Sequence, residues 1–281
     1  MVDIAKLLAQ AAEALQSASD TPRLDAEVLL AHVTGKDRSH FRAWPERVLD
    51  DAAIEDFRTL LEKRRRGMPV AYLTGVREFW SRPFRVSEAV LIPRPETELL
   101  VELALPLCRQ GRPCILDLGT GSGILAVTLA LEIPGAEVTA LDISDAALQV
   151  ARFNAEALGA GRVQFLTSDW FAALSPEVRF DLIVANPPYI AGGDAHLGQG
   201  DVRFEPAQAL SSGPDGLDAL RRITGSALAF LAEGGWLAVE HGYDQAAEAA
   251  ALFTAQGFTR VASHRDLQGN PRVTLGQRPR R

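Results

Sequence analysis

The chain has 281 residues, 47% hydrophobic and 23% charged, with a formal net charge of −7, a balance that suits one full α/β core with a smaller domain beside it and sets aside a disordered protein. Two cysteines, Cys108 and Cys114, are too few for a disulfide framework and read as thiols in a reducing compartment, and the scattered histidines show no spacing that would hold zinc, so no metal is expected. No apolar run reaches bilayer length and no basic segment with an apolar core opens the chain, so a cytoplasmic protein without membrane contact is expected; the acidic balance argues against stable nucleic-acid binding.

The first segment reads as helices. Ile4, Leu7, Leu8, Ala11, Ala14 and Leu15 recur at helical spacing. Thr21 is placed as the N-cap of a second helix with Pro22 at its first position, and Leu24, Val28, Leu29 and Val33 line one face until Gly35 ends it. A third helix runs from Asp51 to Arg66 with Ile54, Phe57, Leu60 and Leu61 on one side; its last residues, Lys63-Arg64-Arg65-Arg66, read as a solvated C-terminus favoured by the helix dipole. A second basic group, Arg278, Arg280 and Arg281, ends the chain. Residues 1–66 are therefore expected as an N-terminal helical domain. Residues 67–92 change character: Tyr72, Val76, Phe79, Trp80, Phe84, Val86 and Val90 are broken by Gly75 and Pro83 into hairpin-like pieces, which predicts a β-hairpin linker. Residues 93–281 form the third part, where strands and helices alternate from Pro113 onward, the pattern of a mostly parallel sheet covered by helices on both faces. Seven strands are expected, ending with two late ones within FTRVASH and PRVTLGQ.

Chemistry concentrates at the strand ends. The first strand of the sheet runs into Gly119-Thr120-Gly121-Ser122-Gly123, a turn that lets backbone approach a nucleoside-bearing cofactor closely. Such a turn also serves dinucleotides, but those favour G-x-G-x-x-G with a helix N-terminus facing a pyrophosphate. Here the spacing is G-x-G-x-G, which suits the phosphate-free S-adenosyl-L-methionine. Asp142 ends the second strand, where a carboxylate can accept both ribose hydroxyls or cap the next helix; Asp169 and Trp170 follow the third, where a carboxylate and a stacking ring can meet adenine. Asn186-Pro187-Pro188-Tyr189 follows the fourth. Its prolines fix φ and remove two N–H donors, leaving the Asn186 side chain and the Pro187 carbonyl as acceptors for a planar NH2 group on which Tyr189 can stack. The acceptor amine so defined is a side-chain amide or a nucleobase amine, and a cofactor-binding regulator without catalysis is the reading from another class.

With these motifs assembled, the chain resembles the HemK/PrmC-type peptide chain release factor glutamine N5-methyltransferases. The likeness extends through Ala71-Tyr72-Leu73-Thr74-Gly75, Ile92-Pro93-Arg94-Pro95-Glu96-Thr97-Glu98, Ser168-Asp169-Trp170-Phe171, Asp201-Val202-Arg203-Phe204-Glu205-Pro206 and Glu240-His241-Gly242. It implies a seven-stranded, Rossmann-like class I methyltransferase domain with a small N-terminal helical domain that docks the substrate. It implies cofactor contacts at Gly119 to Gly123, Asp142, Trp170 and Asn186, and glutamine contacts at Asn186, Pro187, Pro188 and Tyr189, with Asn186, Pro187 and Tyr189 catalytic. The implied substrate is the glutamine of the Gly-Gly-Gln loop of release factors. Arg94 and Glu98, on a stretch that looks like the cover of the pocket, are further candidates without an assigned role.

Overall fold

The computed structural model describes residues 2–108 and 111–280, so Arg281 of the basic tail lies outside the described residues. The chain divides into two compact units, Met1–Val76 with Gly198–Phe204, and Arg77–Leu197 with Glu205–Arg281.

The first unit holds α1 (Ile4–Ala14), α2 (Pro22–Thr34), α3 (Arg38–Ala43), α4 (Asp51–Arg65) and α5 (Val70–Thr74). Asp3, Asp37 and Asp50 cap α1, α3 and α4 by accepting the backbone N–H three residues on. Ile4, Leu8, Leu29, Leu30, Phe41 and Phe57 form its core. Thr21 stands at the N-cap of α2 with Pro22 at its first position, as expected, although its hydroxyl goes to Asp25 at 3.1 Å and caps no backbone N–H. Two other expectations need correction. The inward face of α2 carries Ala26, Leu29 and Leu30, while Leu24 is 39% exposed. The stripe is rotated because two carboxylates are buried against arginines: Asp25 takes Arg64 Nε at 2.7 Å, and Glu27 takes Arg23 and Arg38, each at 2.9 Å. Arg64, read as part of a solvated run, is 6% exposed and bridges Asp25 to Asp201, again at 2.7 Å. Its neighbours Lys63, Arg65 and Arg66 are exposed, the two arginines pairing with Glu62. The sequence reading also missed α3, too short for a period, and α5, which is helical where the linker 67–92 was expected to begin.

A two-stranded hairpin, β1 (Val76–Phe79) and β2 (Arg82–Arg85), follows. Trp80 and Ser81 turn it with φ of 51° and 56°, a conformation hairpins usually give to Asn-Gly. The Glu98 carboxylate holds this turn by accepting the Trp80 N–H at 2.8 Å.

The rest of the second unit runs α6 (Glu98–Ala104), β3 (Cys114–Leu118), α7 (Ile124–Glu132), β4 (Glu137–Asp142), α8 (Asp145–Leu158), β5 (Gln164–Thr167), β6 (Phe180–Ala185), α9 (Ala207–Leu210), α10 (Asp218–Phe230), β7 (Leu231–Glu240), α11 (Ala246–Ala255), β8 (Thr259–Arg265) and β9 (Pro271–Gln277). The seven strands lie in the order β5-β4-β3-β6-β7-β9-β8, parallel except where β9 joins β7 and β8. Along β3 and β6 side chains alternate between two cores. Ile115, Leu182 and Val184 pack with Leu100 and Leu125 on one face; Leu116, Leu118, Ile183 and Ala185 pack with Ile223 and Phe253 on the other. From β3 the chain winds outward through β4 to β5, then crosses back to β6 on the opposite side. The order reverses between β3 and β6, whose ends Leu118 and Ala185 are register partners. A crevice outside the carboxyl ends of such strands is where open α/β sheets bind ligands. Among the described residues no helix is long and apolar enough to cross a membrane.

Candidate active site

Where β3 ends, Gly119, Gly121 and Gly123 all take positive φ, of 72°, 56° and 84°. The N–H groups of Gly119 and Thr120 both donate to the Leu141 carbonyl, at 2.8 and 2.9 Å, which ties the turn to the end of β4. Gly121 N–H and Ser144 N–H donate to the two oxygens of Asp142, each at 2.9 Å. The carboxylate is thus clamped, with a lone pair left on each oxygen. Burial pushes the Asp142 pKa up, against the pull of these backbone donors. Gly123 serves packing: a Cβ there would lie 3.1 Å from the Ala151 Cβ of α8. Asp117, inside β3, is fully buried; one oxygen accepts from Thr120 Oγ at 2.7 Å and Ala126 N–H at 3.1 Å, while the other has no partner among the described residues. Burial raises its pKa to about 7.

This turn forms one wall of a cavity of about 290 Å³. Gly119, Thr120, Gly121, Ser122 and Asp142 line it, together with Asp169 and Trp170 after β5 and Asn186, Pro187 and Pro188 after β6. Trp170 follows β5 with a φ of 53°. Asp169 is not free: Arg222 of α10, another lining residue, holds it at 2.7 Å. Arg94 lines the cavity and pairs at 2.5 Å with Glu205, whose second oxygen accepts the Ile92 N–H at 3.0 Å, fixing the segment over the pocket. Three candidates lie outside the lining. Gly123 is behind the turn, Glu98 is at the hairpin, and Tyr189 is beyond Pro188, with its backbone carbonyl accepting from Gln245 at 3.0 Å and burial pushing its phenol up to about 12.

Asn186 is placed by its amide nitrogen, which donates to Thr97 Oγ at 3.1 Å. Its carbonyl oxygen is buried and, among the described residues, has no hydrogen-bond partner. Thr97 is itself fully buried, as is Glu240 at the end of β7, one of whose carboxyl oxygens has no hydrogen-bond partner among the described residues. Burial raises the Glu240 carboxyl to about 7. Sequence reasoning singled out none of Asp117, Thr97, Arg222 and Glu240. Asp117 is adjacent to the glycine turn and Glu240 opens a motif quoted above, but neither carries a local pattern that separates it from a core polar residue.

The chain matches two family models, the PrmC N-terminal domain over residues 6–75 and the methyltransferase small domain over residues 95–213. A Vibrio cholerae protein named release factor glutamine methyltransferase is 46% identical, over 98% of this chain and 97% of that protein. A Xylella fastidiosa protein of the same name is 52% identical, over 92% and 94%. A crystal structure of a methyltransferase from Pyrococcus furiosus is similar in fold, with a TM-score of 0.54 at 17% identity, over 72% of this chain and 91% of that one.

Proposed function

Because this chain belongs to the release factor glutamine methyltransferase family, we propose that it transfers a methyl group from S-adenosyl-L-methionine to the side-chain amide nitrogen of the glutamine in the Gly-Gly-Gln loop of peptide chain release factors, and so modulates translation termination. The observation that carries this reading is the Asn186 carbonyl oxygen, buried at the cavity and unpartnered, while its own nitrogen is occupied by Thr97. A buried acceptor without a donor is costly, and an incoming primary amide satisfies it.

The residues present fit the cofactor. The glycine turn offers a wall without side chains, Asp142 presents clamped carboxylate oxygens for a ribose diol, and Trp170 gives a ring for a base. When bound, S-adenosyl-L-methionine supplies a methyl group on a positively charged sulfur. Asn186 and the Pro187 carbonyl orient the glutamine NH2 by accepting its hydrogens, which turns the nitrogen toward the methyl and favours charge leaving it. Pro188 shapes the rigid turn and Tyr189 buttresses it. No general base is needed at the amide, because an N-alkylated amide cation is acidic enough to lose its proton to water. Arg94 and Asp169, each neutralised by a partner, act through shape and position. The helical unit docks the release factor, and the reaction belongs to the cytoplasm, where the thiols of Cys108 and Cys114 stay reduced.

Labelled methyl transfer into purified release factor, with mass-spectrometric mapping, tests the reading. The label is expected on the Gly-Gly-Gln glutamine. Label entering DNA or RNA and never the release factor would replace it with a nucleobase amine methyltransferase.

A further inference from the structure

Two carboxylates of α2 are buried, and the chain neutralises them in different ways. Asp25 takes Arg64, which is itself buried. Glu27 takes Arg23 and Arg38, each at 2.9 Å, with Arg42 at 3.8 Å, and these three side chains stay 52%, 42% and 69% exposed. Three arginines on one glutamate leave two positive charges in surplus, at the surface of a chain whose formal net charge is −7. Exposed ion pairs add little to stability and confine long side chains at an entropic cost. Burial of Glu27 accounts for the first arginine and not for the third.

We propose that Arg23, Arg38 and Arg42, gathered on Glu27, are the docking surface of the helical unit and take an acidic segment of the release factor, an assignment that rests on the proposed function and deepens it. The cluster is arranged in advance. Arg23 and Glu27 stand one turn apart on α2, Arg38 and Arg42 one turn apart on α3, so two helices bring three guanidinium groups to one point. Glu27 holds them there, which lowers the ordering cost of binding. Arg23 spends only its Nε–H on Glu27, and Arg42 is beyond hydrogen-bond reach of it. Among the described residues no other carboxylate pairs with any of the three. The N–H donors left over match a partner's carboxylates, which a guanidinium fork binds in pairs of hydrogen bonds. Two residues beyond Arg42, at the C-cap of α3, Trp44 is exposed with Arg47 over its ring at 4.9 Å. Tryptophan and arginine are the side chains on which protein interfaces most depend. A nucleic-acid backbone is the poorer occupant, since it needs cations spaced along a groove and is repelled by an acidic chain.

The test uses the full chain with Arg42→Gln, Arg42→Lys and the double change of Arg42→Gln with Trp44→Ala. Removing the Arg42 guanidinium leaves Glu27 held by Arg23 and Arg38, so thermal melts are expected to match wild type. Kinetics are read on full-length release factor and on a Gly-Gly-Gln peptide, and binding by anisotropy of fluorescently labelled release factor. On the full-length factor Arg42→Gln is expected to raise KM by about threefold or more and the double change by about tenfold or more. The kcat, the cofactor affinity and the peptide kcat/KM are expected to stay within about twofold, and Arg42→Lys to stay near wild type. Between about 0.1 M and about 1 M salt the Debye length shrinks from roughly 10 Å to roughly 3 Å, and the gap between wild type and Arg42→Gln is expected to close. A wild-type KM in the double variant overturns the proposal, and so does an equal loss on peptide and full-length factor. Labelled single-stranded RNA that binds wild type but not the double variant, with release-factor KM unchanged, overturns it in favour of a phosphate site. If wild type methylates no release factor, anisotropy separates the two readings: binding that weakens in the double variant removes the substrate and keeps the docking surface, and no binding removes both.

Discussion

At the scale of single residues, the site is built from polar groups whose hydrogen bonds are nearly but not wholly satisfied. Asn186→Ala removes the unpartnered acceptor and its anchor together, and turnover is expected to fall by about a hundredfold or more, the scale seen when one well-placed polar group is lost from a transition state; single-turnover kinetics with saturating cofactor reads it. Asp142 differs, because its carboxylate is clamped by Gly121 and Ser144 and the proposed function assigns it to the cofactor, not the reacting nitrogen. Asp142→Ala is expected to weaken cofactor binding by calorimetry while the folded state survives in thermal melts. Asp117 gives a pH signature. Its folded pKa of about 7 lies above the ordinary carboxylate range, so between roughly pH 4 and pH 7 the folded state holds a proton that the unfolded state has released. Stability from this group therefore falls as pH rises through that window and levels off above it. Urea midpoints at pH 5 and pH 8 are expected to show this descent in wild type and to lack its Asp117 share in Asp117→Asn.

At the scale of elements, the strand ends were legible because their chemistry is local. A glycine turn after an apolar strand, an acid at the end of the next, and Asn-Pro-Pro-Tyr after the fourth each carry their constraint within a few residues, and the strand–helix alternation of the sheet follows from short-range periodicity. Thr97 and the buried arginine of α4 were not legible, because each depends on a partner that only the folded chain brings near. Arg64 makes the point most directly. A basic run at a helix end has a sufficient local explanation in the helix dipole, and nothing in the run marks the member that turns inward to meet Asp201, 137 positions away. For the same reason the α2 stripe was misread: Asp25 and Glu27 count as outward residues until their arginines are known. Arg64→Met leaves Asp25 buried with only the Ser19 and Thr21 hydroxyls, so a loss of about 3–5 kcal/mol is expected, the cost of an uncompensated buried charge. Denaturant unfolding measures it, and adding Asp25→Asn is expected to recover part.

At the scale of the whole molecule, a glutamine side chain is too small an acceptor to identify a protein, so selectivity falls to surfaces beyond the cavity. Full-length release factor is expected to show a much higher kcat/KM than a short Gly-Gly-Gln peptide, and equal values would remove the need for docking. Truncation is a poor probe of that docking. The segment Gly198–Phe204 belongs to the helical unit, so a chain lacking residues 1–66 would strand Asp201 without Arg64.

The same discontinuity orders events on the ribosome. The helical unit begins to be made before the other but is not completed until most of the other has been made, because Arg64 waits for Asp201 while 137 further positions are added, about 7–27 s at typical elongation rates of roughly 5–20 residues per second. During that interval the strands from β3 to β6 have emerged, and a buried cation in the newborn helices has one of its two carboxylates. The nascent chain is expected to gain resistance to protease in its first 76 residues only when the stalled length clears the exit tunnel beyond Phe204, a late step governed by the order of synthesis.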